Sequence, residues 1–155
     1  MDRALRILLA EDNPGDVFLV KESLNRHLLH YELTAANDGE RAWKLVEMAE
    51  ASPDGSFDIV ILDLNLPIRP GLEILSRIRS SPSAVSRSLV VIVTSSYSTP
   101  DRTAATNGGA DYYFCKPSNL DAFLQLGSII KQLWAARTLR DAKTRDKTAR
   151  KGTTV

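Results

Sequence analysis

A chain of 155 residues, 43% hydrophobic and 25% charged, can build one domain with a proper core and is short for two. No apolar run approaches the ~20 residues that span a bilayer, the single cysteine, Cys115, allows no intrachain disulfide, and Met1-Asp2-Arg3 leads straight into a short strand with no secretory leader, so a cytoplasmic protein without a membrane partner is expected. Net charge is +1, but residues 1–136 hold 13 basic and 17 acidic side chains, a balance of −4, whereas residues 137–155 hold 7 and 2, a balance of +5; a body without a basic surface argues against nucleic acid as a partner.

Apolar runs alternate with helical patterns five times. Leu5–Ala10 reads as a first strand. Pro14 then opens a helix with Val17, Val20, Leu24 and Leu28 at helical spacing. Tyr31–Ala36 is a more polar second strand, and Glu40–Ala51 a second helix with Ala42, Leu45, Val46 and Ala49 on one face. After a loop at 52–56, Phe57–Leu62 is a third strand that stops at Asp63, and Gly71–Arg79 a third helix. A polar loop at 80–88 leads to Leu89–Val93, ended by Thr94. Thr99–Asn107 is a weak fourth helix. Asp111–Cys115 is the fifth strand, followed by Lys116-Pro117, and Ser118 is expected to cap a final helix running to about Arg137. The domain is thus read as residues 1–137, with 138–155 a basic tail lacking core-forming periodicity and therefore without order.

Regular β-α alternation predicts an α/β fold: a doubly wound, five-stranded parallel sheet with helices on both faces. The wholly apolar strands belong at the centre and the polar second strand at an edge, giving the order 2-1-3-4-5. In such sheets the site lies beyond the C-terminal strand ends. Glu11-Asp12, Asp63, Thr94 and Lys116 all sit there. Each has an ordinary reading alone, as a turn former, cap or strand exit. Together, one set per strand on one rim, they describe a site that holds a divalent cation and accepts a phosphoryl group. Mg²⁺ takes oxygen ligands, which Asp12, Asp63, Glu11 and the backbone carbonyl of Asn65 can supply. Asp63 is also a candidate nucleophile, Lys116 a partner for phosphoryl oxygens, and the Thr94 hydroxyl a donor to another.

These motifs resemble the response-regulator receiver domain of two-component signalling, with a flavodoxin-like receiver fold, over roughly residues 5–136. The resemblance implies that Glu11 and Asp12 are the acidic metal-binding pair, Asp63 the phosphoacceptor, Asn65 the carbonyl ligand, Thr94 the switch hydroxyl, Tyr113 the aromatic switch and Lys116 the phosphate-contacting lysine. It also implies a cis Lys116-Pro117 bond and a sensor histidine kinase as partner. The run Glu11-Asp12-Asn13-Pro14-Gly15-Asp16, the run Asp63-Leu64-Asn65-Leu66-Pro67 and the loops at 52–56 and 80–88 are similar to stand-alone regulators that partner phytochrome-type histidine kinases. The product is expected to be a switch rather than an enzyme, one that assists its own phosphotransfer and dephosphorylation. A haloacid-dehalogenase-type phosphohydrolase also uses a strand-end Asp, but needs a second acid where Asn65 stands; a phosphate-independent binding module is the third reading.

The final helix predicts a homodimer. Its apolar residues sweep roughly 220° at about 100° per residue, more than a one-sided helix needs. Leu120, Phe123, Leu124 and Ile130 are expected to cover the sheet. Ile129 and Leu133 then point outward, with Leu126 at the margin and Trp134 late in the helix, where a partner covers it. Exposed apolar surface of this kind marks interfaces.

Overall fold

The computed structural model describes residues 3–27 and 30–152. Five parallel strands, β1 (Leu5–Ala10), β2 (Tyr31–Ala36), β3 (Ile59–Leu62), β4 (Leu89–Thr94) and β5 (Tyr112–Cys115), form one sheet in the order β2-β1-β3-β4-β5. The helices between them are α1 (Pro14–His27), α2 (Gly39–Ala51), α3 (Gly71–Arg79) and α4 (Thr99–Asn107), with a 3-10 turn at Ala84–Arg87; α5 (Leu120–Phe123) and α6 (Leu126–Lys151) follow β5. Leu28, expected on the first helix, lies outside the described residues.

Alternation along the strands sorts the core into two layers. Leu8, Ala10, Val60, Leu62, Val90 and Ile92 face one way, towards α2 and α3. Ile7, Leu9, Ile59, Ile61, Val91 and Val93 face the other, towards α1, α5 and the start of α6. β3 and β4 are buried on both faces along their whole length, which is why they carry no polar residue until Thr94. Burying each such Leu or Ile contributes roughly 1.5–3 kcal/mol. β2, at the edge, has Tyr31 and Leu33 half-buried, Glu32, Thr34 and Ala35 exposed, and only Ala36 buried, in keeping with its polar composition.

The C-terminal third departs from the sequence expectation. The last helix is in two pieces, capped by Asn119 rather than Ser118. The break has a cause: the fully buried Ser23 of α1 donates its hydroxyl to the Leu124 carbonyl at 2.8 Å and accepts the Gly127 amide at 2.6 Å. A side chain inserted in the helical ladder ends one helix and starts the next. A Cβ on Gly127 would strike the Ser23 carbonyl, so only glycine lets α6 approach α1 this closely. Beyond Arg137 the chain does not lose order as expected, but stays helical to Lys151. From Ser128 to Lys151 it contains no glycine or proline and is rich in Ala, Arg and Lys. A helix already nucleated by the packed segment propagates cheaply through such residues.

Two side chains of this region are also corrected. Leu120, expected to cover the sheet, is 55% exposed; Leu126, expected at a partner's surface, is completely buried. The break after Phe123 rotates the two pieces relative to one continuous helix and exchanges their roles.

Candidate functional site

Strand register builds the site. Ala10 pairs with Leu62, so Glu11 and Asp63 emerge side by side, and the Asp63 amide continues the ladder to the Ala10 carbonyl at 3.0 Å. On the other side Thr94 pairs with Cys115, and the Lys116 amide donates to the Thr94 carbonyl at 2.8 Å. Gly71, at the start of α3, lies against the Asp63 carbonyl, where any Cβ would collide with it; its amide donates to the Leu64 carbonyl at 2.9 Å.

The centre of the site is the Lys116 ammonium. It donates to Asp63 at 2.9 Å, to Glu11 at 3.1 and 3.2 Å and to Asp16 at 2.8 Å. Asp63 and Glu11 are buried and Lys116 nearly so. Asp63 Oδ1 also accepts the Asn65 amide at 3.1 Å, and Glu11 accepts the Asn13 amide at 3.1 Å. Carboxylate oxygens of Glu11, Asp12 and Asp63 lie within 4.8 Å of one another. Three acids on one cation leave an excess of negative charge, and the protons respond. Burial and the hydrogen bond with Asp63 push the Glu11 carboxyl up to about 8. Burial opposes ionisation of Asp63 too, but hydrogen bonds from Glu11, Lys116 and the Asn65 amide outweigh it and hold Asp63 below the usual carboxylate range. Burial lowers Lys116, yet its bonds to Asp16 and Asp63 leave it raised. The shared rim thus favours ionisation at Asp63 and holds a proton more tightly at Glu11.

A hard divalent cation fits this set. The donors are all oxygen, two of the three are held from the strand ends, and Asp12 is solvent-facing, leaving room for the waters such an ion keeps. The rim opens onto a cleft of about 700 Å³ lined by Glu11, Asp12, Arg41, Lys44 and Ile68. Ile68 is 75% exposed with φ of 72°, a conformation a β-branched residue adopts only where its surroundings impose it.

Of the residues read from the sequence, Glu11, Asp12, Asp63 and Lys116 come together as expected. Asn65 touches Asp63 through its amide. Thr94 is fully buried, and its hydroxyl oxygen accepts the Ser96 amide at 3.4 Å. Tyr113 is half-buried on β5, donates to the Ser96 carbonyl at 3.0 Å and lies under the Arg102 guanidinium at 4.8 Å. Two residues without an assigned role now have one. Asp16 reaches Lys116 from the first turn of α1, and Ser96 touches both Thr94 and Tyr113. The Lys116-Pro117 bond is not cis as expected; every peptide bond among the described residues is trans, the isomer X-Pro bonds favour. Cys115 is half-buried and donates to the Ser96 carbonyl at 3.4 Å.

Sheet order, strand-end acids and a buried lysine define a phosphoryl-signalling receiver, and the comparisons agree: residues 7–126 match the response regulator receiver domain, and the chain belongs to that family. It is 31% identical over 134 residues to the response regulator Rcp1 of Synechocystis sp., the alignment covering 83% of this chain and 87% of that protein. The phosphorylated cyanobacterial phytochrome response regulator RcpA is 30% identical with a TM-score of 0.76, covering 86% of this chain and 96% of that one. The Mn²⁺-bound form of Rcp1 is 32% identical with a TM-score of 0.73, covering 84% and 94%. The chain is a two-component response regulator, a phosphoacceptor switch by family, and nothing favours the hydrolase or the phosphate-independent module. No helix of the described residues is long and apolar enough to cross a membrane.

Proposed function

We propose that Asp63 accepts a phosphoryl group from a sensor histidine kinase, and that the chain signals through the surface change that follows. The observation carrying this reading is the Asp63 carboxylate itself: ionised, at the C-terminal end of the central strand, 2.9 Å from the Lys116 ammonium and beside Glu11 and Asp12. An Asp63 oxygen forms the new bond to phosphorus as the bond from phosphorus to the donor nitrogen breaks, and the electron pair leaves with that nitrogen. Mg²⁺ is the ion we assign; Glu11, Asp12, Asp63 and the Asn65 carbonyl would hold it, and it would neutralise charge on the phosphoryl oxygens. Lys116 then exchanges its carboxylate partner for a phosphoryl oxygen. The same arrangement admits a water for dephosphorylation.

Thr94 and Tyr113 carry the response. A phosphoryl oxygen draws the Thr94 hydroxyl away from the Ser96 amide, and Tyr113, bonded to the other side of Ser96, follows. The surface of α4, β5 and the final helical segments, α5 and the start of α6, shifts between two populations. The likeness to the phytochrome response regulator RcpA supports a phytochrome-type kinase as the partner; the cytoplasm is the place we assign, from the single cysteine. Ile129 and Leu133, expected to point outward, and Trp134 are half-buried against the domain's own core, so only the remaining part of their apolar surface is left for the homodimer we propose through α6; Leu126 drops out of the interface set. The test is labelling with a small phosphodonor and Mg²⁺. Wild type is expected to take one acid-stable, base-labile phosphoryl group and Asp63→Asn none; equal labelling of both overturns the assignment. Light scattering of wild type against Ile129→Glu and Leu133→Glu tests the dimer, which predicts a shift to monomer in the variants.

A further inference from the structure

The ordered end of α6 changes what the chain offers to a partner. Every residue from 138 to 152 is exposed, so no face of this part of the helix is buried against the body. Residues 138–151 hold six cations and two acids. At about 100° per residue, Arg140, Lys143, Lys147, Arg150 and Lys151 fall within an arc of about 100°. Both acids lie outside that arc. Asp141, with Thr144 and Arg145, lines a cleft at the lower end of the sheet, on the opposite side of the helix. Asp146 pairs with Arg150 at 3.3 Å at the edge of the stripe. No other ion pair holds a stripe cation among the described residues. The stripe runs ~16 Å along the helix. A random distribution of the same residues would mix signs around the helix; here one face is basic and the face over the cleft is mixed.

We propose that this stripe binds the phosphate backbone of duplex nucleic acid. The sequence argued against nucleic acid because the folded body is acidic, and that premise held only while residues 138–155 were taken to lack order. As a helix, residues 138–151 supply a linear row of cations, which a linear polyanion matches in shape and charge. The other occupants fit less well. The only large apolar side chain bordering the stripe is the exposed Leu139, and one leucine makes neither the clustered anchors of a protein interface nor the continuous apolar face of a membrane-surface helix. A second copy's stripe carries the same charge and repels it. The absence of side chains suited to base edges other than these cations makes the binding independent of sequence. The acidic body faces away from the nucleic acid, so contact is confined to the helix.

The test is fluorescence anisotropy of a short labelled duplex with the full chain across a salt series. Five phosphate contacts predict a slope of log affinity against log salt of about −4.5, or about 500-fold weaker binding on going from about 50 to about 200 mM salt. Lys147→Glu, on the stripe, is expected to weaken binding about tenfold or more. Arg145→Glu makes the same change in net charge off the stripe and is expected to change it less than threefold, to about the extent of long-range charge alone. Circular dichroism and phosphoryl acceptance are expected to be unchanged in both. Binding weakened equally by the two variants, no binding of duplex at the lowest salt, or tighter binding to anionic vesicles or to polyglutamate than to duplex each overturn the proposal.

Discussion

Carboxylates stand at both ends of the sheet, and the two ends treat them differently. At the lower end, where the strands begin, Asp58 and Asp111 are saturated by their neighbours. Asp111 accepts the Val90 amide at 2.8 Å and the Arg79 guanidinium at 2.9 Å, with Arg137 at 3.5 Å; Arg79 also donates to the carbonyls of Ser86, Ser88 and Gly109. Asp58 takes both arms of Arg3 at 2.7 and 2.8 Å and the Arg6 amide at 2.8 Å. Burial works against its ionisation, but the Arg3 fork and the Arg6 amide hold it below the usual range. At the upper rim three acids, Glu11, Asp16 and Asp63, compete for one ammonium. Acids matched by cations and amides hold loops in place. Acids in excess of cations are left to bind something from outside, which is why the chemistry is at one end and the bracing at the other.

The largest expected effect breaks the two ends apart. Asp63→Asn is expected to abolish phosphoryl acceptance while leaving thermal stability unchanged or raised, since it removes excess charge. Asp111→Ala is expected to do the reverse: acceptance rates within a few-fold of wild type, with stability lowered by about 1–3 kcal/mol because the Val90 amide and two guanidinium groups lose an acceptor. Denaturant melts and labelling rates on the same pair of variants check this. Loss of labelling in Asp111→Ala with the fold intact would show that the lower end is not merely bracing.

Proton traffic at the rim gives the next largest effect. Glu11 in the ion-free protein titrates near 8, above its ordinary value of 4.5. Its folded value is raised, so its contribution to stability is fully present below about 4.5 and disappears as the pH rises through about 8. Ion-free protein is therefore expected to lose stability across that window, and a divalent ion to restore it. Because the ion displaces the Glu11 proton, its affinity is expected to climb with pH to about 8 and then level off. Glu11→Gln removes that climb. Ion titrations at several pH values measure both. An affinity independent of pH would mean that Glu11 is already ionised.

The smallest effect concerns the Ser96 bridge. Tyr113→Phe removes the hydroxyl donated to Ser96 and is expected to cost about 1 kcal/mol or less in stability. Phosphoryl acceptance should be unchanged, and amide shifts in α4 on activation should be smaller. Full-sized shifts in this variant would remove the tyrosine hydroxyl from the relay.

How much could be read beforehand follows the physics of each part. The apolar runs of β1, β3 and β4 and the helical spacing in α2 and α3 declare themselves because buried periodicity fixes them. Glu11, Asp12, Asp63 and Lys116 were legible because parallel topology sends every strand's end to one rim. Asp16 was not, since its role depends on the first turn of α1 folding back over that rim. Ser96 was not, because its contacts are made through the backbone. The break at Leu124 rests on a hydrogen bond from Ser23, about a hundred residues away in sequence. Such a contact leaves no local trace, and it moved Leu126 from surface to core. The helical end of α6 escaped notice because it has no apolar period; only its freedom from glycine and proline pointed to it.

The most direct measurement is the location of the phosphoryl group. The full chain, treated with Mg²⁺ and a small phosphodonor, is trapped by reduction of the acyl phosphate and mapped by peptide mass spectrometry. A single modified residue at Asp63, absent in Asp63→Asn and unchanged in Asp111→Ala, is the result expected. Modification at another carboxylate in the wild type, or its persistence in Asp63→Asn, would contradict the account.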